Sequence, residues 1–207
     1  QELERVVPLV QALADADCAV SVDTMKAEVM RRSISAGAVL VNDVTALRHD
    51  PESLDVVAEH GVDVCLMHMQ GDPETMQKNP EYHGVVDEVM RFFEQRIEAC
   101  LQAGIAESAI VLDPGIGFGK RLEDNLALIQ ATARFKSHFN MPLLLGLSRK
   151  SFIGQLTGSP VEDREIETAV AGAIGISQGA DILRVHDVML QARAIRVASA
   201  LSKHSGL

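Results

Sequence analysis

Short apolar runs alternate along this chain with longer stretches whose apolar residues recur at helical spacing. The short runs predict strands at Cys18–Val22, Val39–Val41, Val64–Met67, Ile110–Leu112, Leu143–Leu145 and Ile182–Val185. The amphipathic stretches predict helices at Glu2–Ala14, Lys26–Ala36, Glu52–His60, Val85–Ala103, Leu122–Ala133, Glu165–Gln178 and Val188–Ser202. Gly37, Gly61, Gly104 and Gly179 punctuate four helix ends. Repeated helix–Gly–strand order is the sequence form of parallel βα units. Two longer polar loops, before Val85 and before Glu165, complete the pattern.

Each apolar run ends in a polar or charged cluster. In order these are S-V-D-T with Asp23, V-N-D-V with Asn42 and Asp43, M-H-M-Q-G with His68, D-P-G-I-G-F-G-K with Asp113 and Lys120, G-L-S-R-K-S with Ser148, Arg149 and Lys150, and R-V-H-D with Arg184, His186 and Asp187. Parallel strands would bring all six ends to one face, where α/β barrels keep their active sites. An open sheet gathers its ligand groups at one switch point instead, so polar ends on every strand favour closure. The expected fold is therefore α/β, a (βα)8 TIM barrel with six of eight units present, residues 1–207 forming one domain. The first two βα units are expected to precede Gln1, whose helix has no strand before it.

Composition narrows the partners. Lys plus Arg number 19 against 29 Asp plus Glu, a net charge of −10, and aromatics are 3% of the chain. Without a basic stripe or stacking aromatics, nucleic acid is not an expected partner. No apolar run approaches a membrane span. Cys18, Cys65 and Cys100 are odd in number and unclustered, which reads as reduced core thiols in a cytoplasmic protein.

The clusters suit one kind of ligand. Asp23, Asn42, Asp113 and Lys150 would together line a pocket for a flat heterocycle carrying both donors and acceptors, such as a 2-amino-4-oxo pyrimidine edge. Asp23 with Thr24 equally suits a helix N-cap. Arg184 and His186 lie two apart in a strand, which suits phosphate or diphosphate; a solvated strand end is the plainer alternative. The glycines before Lys120 fit neither the P-loop nor the dinucleotide fingerprint, and instead let backbone and Phe118 approach a flat ligand. His68 has no second ligand at zinc spacing and reads as a hydrogen-bonded wall residue.

S-V-D-T, V-N-D-V, C-L-M-H-M-Q-G-D-P, L-D-P-G-I-G-F-G-K, G-L-S-R-K-S and R-V-H-D, in this order, make the chain resemble the dihydropteroate synthase family, the sulfonamide target of folate biosynthesis. The resemblance implies a transferase that joins 6-hydroxymethyl-7,8-dihydropterin diphosphate to p-aminobenzoate and releases diphosphate. It implies pterin contacts from Asp23, Asn42, Val44, Met69 (a better match than Met67), Asp113, Phe118, Gly146, Lys150 and Arg184. It implies p-aminobenzoate contacts from Phe118, Ser148 and Lys150, and diphosphate contacts from Arg184 and His186. Asp23, Asp113, Lys150, Arg184 and His186 are the expected catalytic set. Mg²⁺ is the implied cofactor, with the metal-binding Asn expected before Gln1 and no metal ligand assigned here. A homodimer is the expected assembly. Two rivals stay open at this point, a pterin-binding methyltransferase domain and a non-catalytic pterin-binding module. S-R-K-S and R-V-H-D weigh against the first, since a methyl donor presents no diphosphate.

Overall fold

A computed structural model describes residues 1–71, 75, 76 and 78–204, so Asp72 and Pro73 of the motif after the third strand lie outside the described residues. The chain divides into two units, residues 1–68 with 91–112 and residues 69–90 with 113–207. Among the described residues no helix is long and apolar enough to cross a membrane.

The first unit is built from βα repeats. Helix α1 (Glu2–Asp15) precedes β1 (Val20–Asp23), α2 (Ala27–Ser35), β2 (Ala38–Asp43), α3 (Ser53–His60) and β3 (Asp63–Met67). The later part of α4 (Val85–Gln102) and β4 (Ile110–Asp113, its last residue grouped with the second unit) complete it. The strands lie in the order β1-β2-β3-β4, with β1–β2 and β2–β3 paired in parallel. Val64, Cys65, Leu66 and Met67 are all buried, as are Ile110 to Asp113, so β3 and β4 read as continuous apolar runs for the expected reason. Strand β1 instead alternates buried Val20 and Val22 with exposed Ser21 and Asp23.

The second unit carries α5 (Leu122–Gln130), α6 (Thr132–Phe139), β5 (Leu144–Gly146), α7 (Ser151–Thr157), α8 (Glu165–Ser177), β6 (Ile182–Arg184) and α9 (Val188–His204). β5 and β6 pair in parallel as a two-stranded sheet. Only β5 is fully buried; Ile182 of β6 is exposed and Leu183 half-buried.

Three expectations are corrected. The helix expected over Leu122–Ala133 is broken at Ala131 and restarts as α6, with the buried Thr132 hydroxyl donating back to Ile129 O at 2.7 Å. A loop expected before Glu165 contains α7, whose Phe152 and Ile153 are buried although Gly154 interrupts the apolar pattern. The first strand starts at Val20 rather than Cys18, and Cys18 is exposed rather than core. Cys65 and Cys100 are buried, and none of the three forms a disulfide.

Candidate active site

Asp23 ends β1 and is the register partner of Asn42 in β2. The Asn42 amide donates to Asp23 Oδ2 at 2.9 Å. A carboxylate needs a donor, so this bond fixes which amide atom is nitrogen. Asn42 Oδ1 is left buried with no hydrogen-bond partner among the described residues. An unsatisfied buried acceptor costs about 1–3 kcal/mol, which a ligand N–H would recover. The N-cap of α2 is Lys26 rather than Asp23; Thr24 Oγ1 accepts from Lys26 N at 3.3 Å, and Ala27 N donates to Asp50 Oδ2 at 2.9 Å.

Asp43, the next residue, has a different task. Its carboxylate accepts from Thr45 N and Thr45 Oγ1, both at 2.7 Å, and from Leu47 N at 3.0 Å. Burial raises its pKa against those hydrogen bonds. The bonds pin a turn in which Ala46 and Leu47 sit at φ 54° and 59°. Val44 lies half-buried beside it. His68 is buried, edge-on to Phe92 with ring centroids 4.9 Å apart.

In the second unit the groups gather around Asp113, which is 1% exposed. Its Oδ1 accepts from Gly115 N at 2.8 Å, and its Oδ2 lies 3.9 Å from Arg184 Nη2. Gly115, Gly117 and Gly119 all take positive φ, at 68°, 82° and 61°, which curls the loop after β4. The curl turns carbonyls inward. Lys120 Nζ donates to Gly115 O at 2.9 Å and Phe118 O at 3.0 Å, and Lys150 Nζ donates to Ile116 O. Lys150 Nζ also lies 4.2 Å from the centroid of the half-buried Phe118 ring. Burial lowers the Lys150 pKa to about 8, with Asp113 opposing and Arg184 adding to the fall. Burial lowers Lys120 further, to about 7, against the attraction of Asp113.

Gly146, the last residue of β5, leaves room for Arg184, whose Nη2 lies 3.4 Å from where a Cβ would stand. Ser148 Oγ accepts from His186 N at 3.2 Å and meets His186 Nδ1 at 2.7 Å. Ser148 thus holds His186 twice, by its backbone N–H and by the Nδ1 edge of its ring. Arg149 is not a second free cation, since its guanidinium pairs with Glu165. Met69 is buried in this unit.

The structure thus joins Asp23 to Asn42 in one unit. In the other it links Asp113 with Arg184, Lys150 with Phe118, and Ser148 with His186. Lys120, named in the strand-end cluster but assigned no contact there, is a candidate site residue by its place beside Asp113 and its bonds to the glycine-loop carbonyls. Among the described residues no three His, Cys, Asp or Glu side chains converge on a metal position.

Residues 1–186 match the family model of the pterin binding enzymes, and the chain belongs to that family. The dihydropteroate synthase of Escherichia coli K12 is 48% identical over 201 residues, covering 97% of this chain and 71% of that protein. A Yersinia pestis dihydropteroate synthase solved with a sulfonamide drug superposes with a TM-score of 0.94 at 45% identity, over 97% of this chain and 73% of that one. The Xanthomonas albilineans dihydropteroate synthase in complex with 7,8-dihydropteroate gives 0.89 at 42% identity, over 96% and 73%. The fold class is that of these neighbours, a TIM barrel represented here by six βα units. The activity is dihydropteroate synthesis, a transferase reaction of folate biosynthesis.

Proposed function

We propose that residues 1–207 form one pterin-binding domain, condensing 6-hydroxymethyl-7,8-dihydropterin diphosphate with p-aminobenzoate through the following division of labour. Asp23 and Asp113 accept pterin N–H groups, and Lys150 donates to the ring. The observation that carries this reading is the cluster of a buried carboxylate, a half-buried ammonium and an aromatic face at Asp113, Lys150 and Phe118. Asn42 Oδ1 supplies a further acceptor awaiting a donor. Val44, Met69 and Gly146 serve as apolar walls, and Phe118, Ser148 and Lys150 flank p-aminobenzoate.

Chemistry begins as the bond from the methylene carbon to the diphosphate oxygen breaks and the electron pair leaves with diphosphate. Arg184 and His186 stabilise that leaving charge, while Asp23 and Asp113 stabilise the cation left on the pterin through its N–H groups. The amine nitrogen of p-aminobenzoate forms the new C–N bond and releases its proton to solvent. An aniline nitrogen is already nucleophilic, so no dedicated base is required. Mg²⁺ is the metal the family resemblance implies; the described residues offer it no three-ligand cluster, and no step here is routed through it. A cytoplasmic location is supported by three cysteines that form no disulfide.

A homodimer is the assembly we favour. Ile166, Val170 and Ile174 are 73%, 56% and 46% exposed on one face of α8, beside a cavity of about 400 Å³ that Leu126, Ile129 and Phe152 also line. An exposed apolar row with an adjoining hollow is the self-complementary surface that a two-fold interface uses.

Binding of the pterin diphosphate and of the corresponding pterin alcohol to the Arg184→Ala/His186→Ala variant tests the division of labour. The diphosphate should lose far more affinity than the alcohol. Equal losses would make the pair a pocket wall rather than an anion clamp.

A further inference from the structure

Arg164 stands in the turn entering α8, and its guanidinium donates to three backbone carbonyls. Nε reaches Ser159 O at 3.0 Å, and Nη1 reaches Arg149 O at 3.0 Å and Lys150 O at 3.4 Å. Two of those carbonyls belong to the loop that carries Ser148 and Lys150. The same loop is tied to α8 twice more, by Arg149 N donating to Thr168 Oγ1 at 3.1 Å and by the Arg149–Glu165 pair. It needs such ties. Arg149 lies at φ 57°, a left-handed conformation that costs a residue with a Cβ roughly 1–2 kcal/mol.

The guanidinium reaches these carbonyls across Gly154 in α7. A Cβ on Gly154 would lie 2.1 Å from Arg164 Nη2 and 2.6 Å from its Cζ. Glycine inside a helix is about 1 kcal/mol worse than alanine, and the seat of this guanidinium gives the reason for keeping it. Arginine suits the seat better than lysine, because a planar fork serves several acceptors from one fixed direction.

We propose that Arg164 is a positioning residue for the synthase reaction. Seated over Gly154, it fixes the carbonyls of Arg149 and Lys150 and so sets where Ser148 and Lys150 meet substrate. The assignment rests on Lys150 being a substrate-facing group.

A double-mutant cycle in kcat/KM for dihydropteroate formation tests it, using Arg164→Met, Gly154→Ala, the double variant, Arg164→Lys and Lys150→Met. Misplacing a substrate-facing group by a fraction of its length is costly, so Arg164→Met and Gly154→Ala should each lose about tenfold or more. The double variant should lose no more than about twofold beyond Arg164→Met, since the methyl at 154 then has no guanidinium to displace. Arg164→Lys should recover part of the loss, and each loss should fall on kcat as well as on KM for p-aminobenzoate. Multiplying effects in the double variant overturn the proposal, as does wild-type kcat/KM in a folded Arg164→Met protein. Should Arg164→Met not fold, Gly154→Ala and Arg164→Lys decide, and wild-type kcat/KM in both overturns it. Full activity in Lys150→Met removes the reading of Lys150 and the proposal with it. Loss there with none at Arg164 removes the proposal alone.

Discussion

Asp113 shows how one carboxylate divides its two oxygens. Oδ1 is occupied by the Gly115 amide that starts the glycine loop, and Oδ2 faces Arg184. Replacing Oδ2 by an amide nitrogen in Asp113→Asn sets a donor against pterin donors and against the guanidinium. Losing a charge-assisted contact of this kind should cost about 1.5–3 kcal/mol of pterin affinity. Calorimetry on the folded variant checks this, and unchanged affinity would remove Asp113 from the pocket. Lys150 supplies a second test at this scale. Burial lowers its pKa from the usual 10.5 to about 8, so its charge is present below about 8 and lost above. Because kcat/KM reports the free enzyme, it should fall on the alkaline side with a midpoint near 8. The titration of Lys150 does not itself cause such a fall through unfolding. A group whose folded pKa lies below its unfolded value costs stability while charged, and that cost disappears as pH rises from about 8 toward 10.5. Lys150→Arg, which keeps its charge, should lose this limb; an unshifted limb would assign it to another group.

The glycine loop after β4 is the element on which the second unit's site turns. Gly119 lies at φ 61°, and a Cβ there would stand 2.7 Å from Gln70 O. The Gly119 carbonyl also accepts from the Tyr82 hydroxyl at 2.7 Å. Gly119→Ala therefore meets both an unfavourable backbone region and a backbone oxygen that cannot swing away. Urea denaturation should show a loss of about 1–3 kcal/mol. A neutral result would mean that the loop is free to re-form around a methyl group. The elements also show what the sequence carried. The six strands among the described residues were legible, because Val, Ile and Leu runs stand out between helices and four of them, β1, β2, β4 and β6, end in Asp23, Asp43, Asp113 and Arg184. Helix α7 was not, since Gly154 reads locally as a breaker and its reason lies ten residues away in Arg164. The break at Ala131 was equally hidden, as nothing in L-E-D-N-L-A-L-I-Q-A-T-A forbids one continuous helix. Site residues at strand ends were legible for the same reason as the strands. Arg164 was not, nor was the task of Lys120, because such a cation's task is set by the carbonyls that fold against it.

For the molecule as a whole, a charge of −10 opposes two anionic substrates, so on the proposed division of labour their capture depends on local cations at Lys150 and Arg184 rather than on the overall field. The same charge opposes self-association, which makes a dimer depend on an apolar surface able to outweigh repulsion. Ile166, Val170 and Ile174 recur every four residues along α8 and are exposed, whereas Thr168, Ala169, Gly172 and Gly175 of that helix are buried. Helix α8 therefore has two apolar faces, one of which its own unit leaves uncovered. Exposed Val170 can accept a charge without a packing cost within the unit. Val170→Glu should then leave the far-ultraviolet circular dichroism unchanged while converting a two-chain species to a single chain in sedimentation equilibrium. Raising the salt concentration should strengthen the wild-type association, because screening weakens the repulsion and leaves the apolar contact intact. A wild-type protein that sediments as one chain at assay concentrations, at low and high salt alike, would leave that face of α8 without a second copy to cover it.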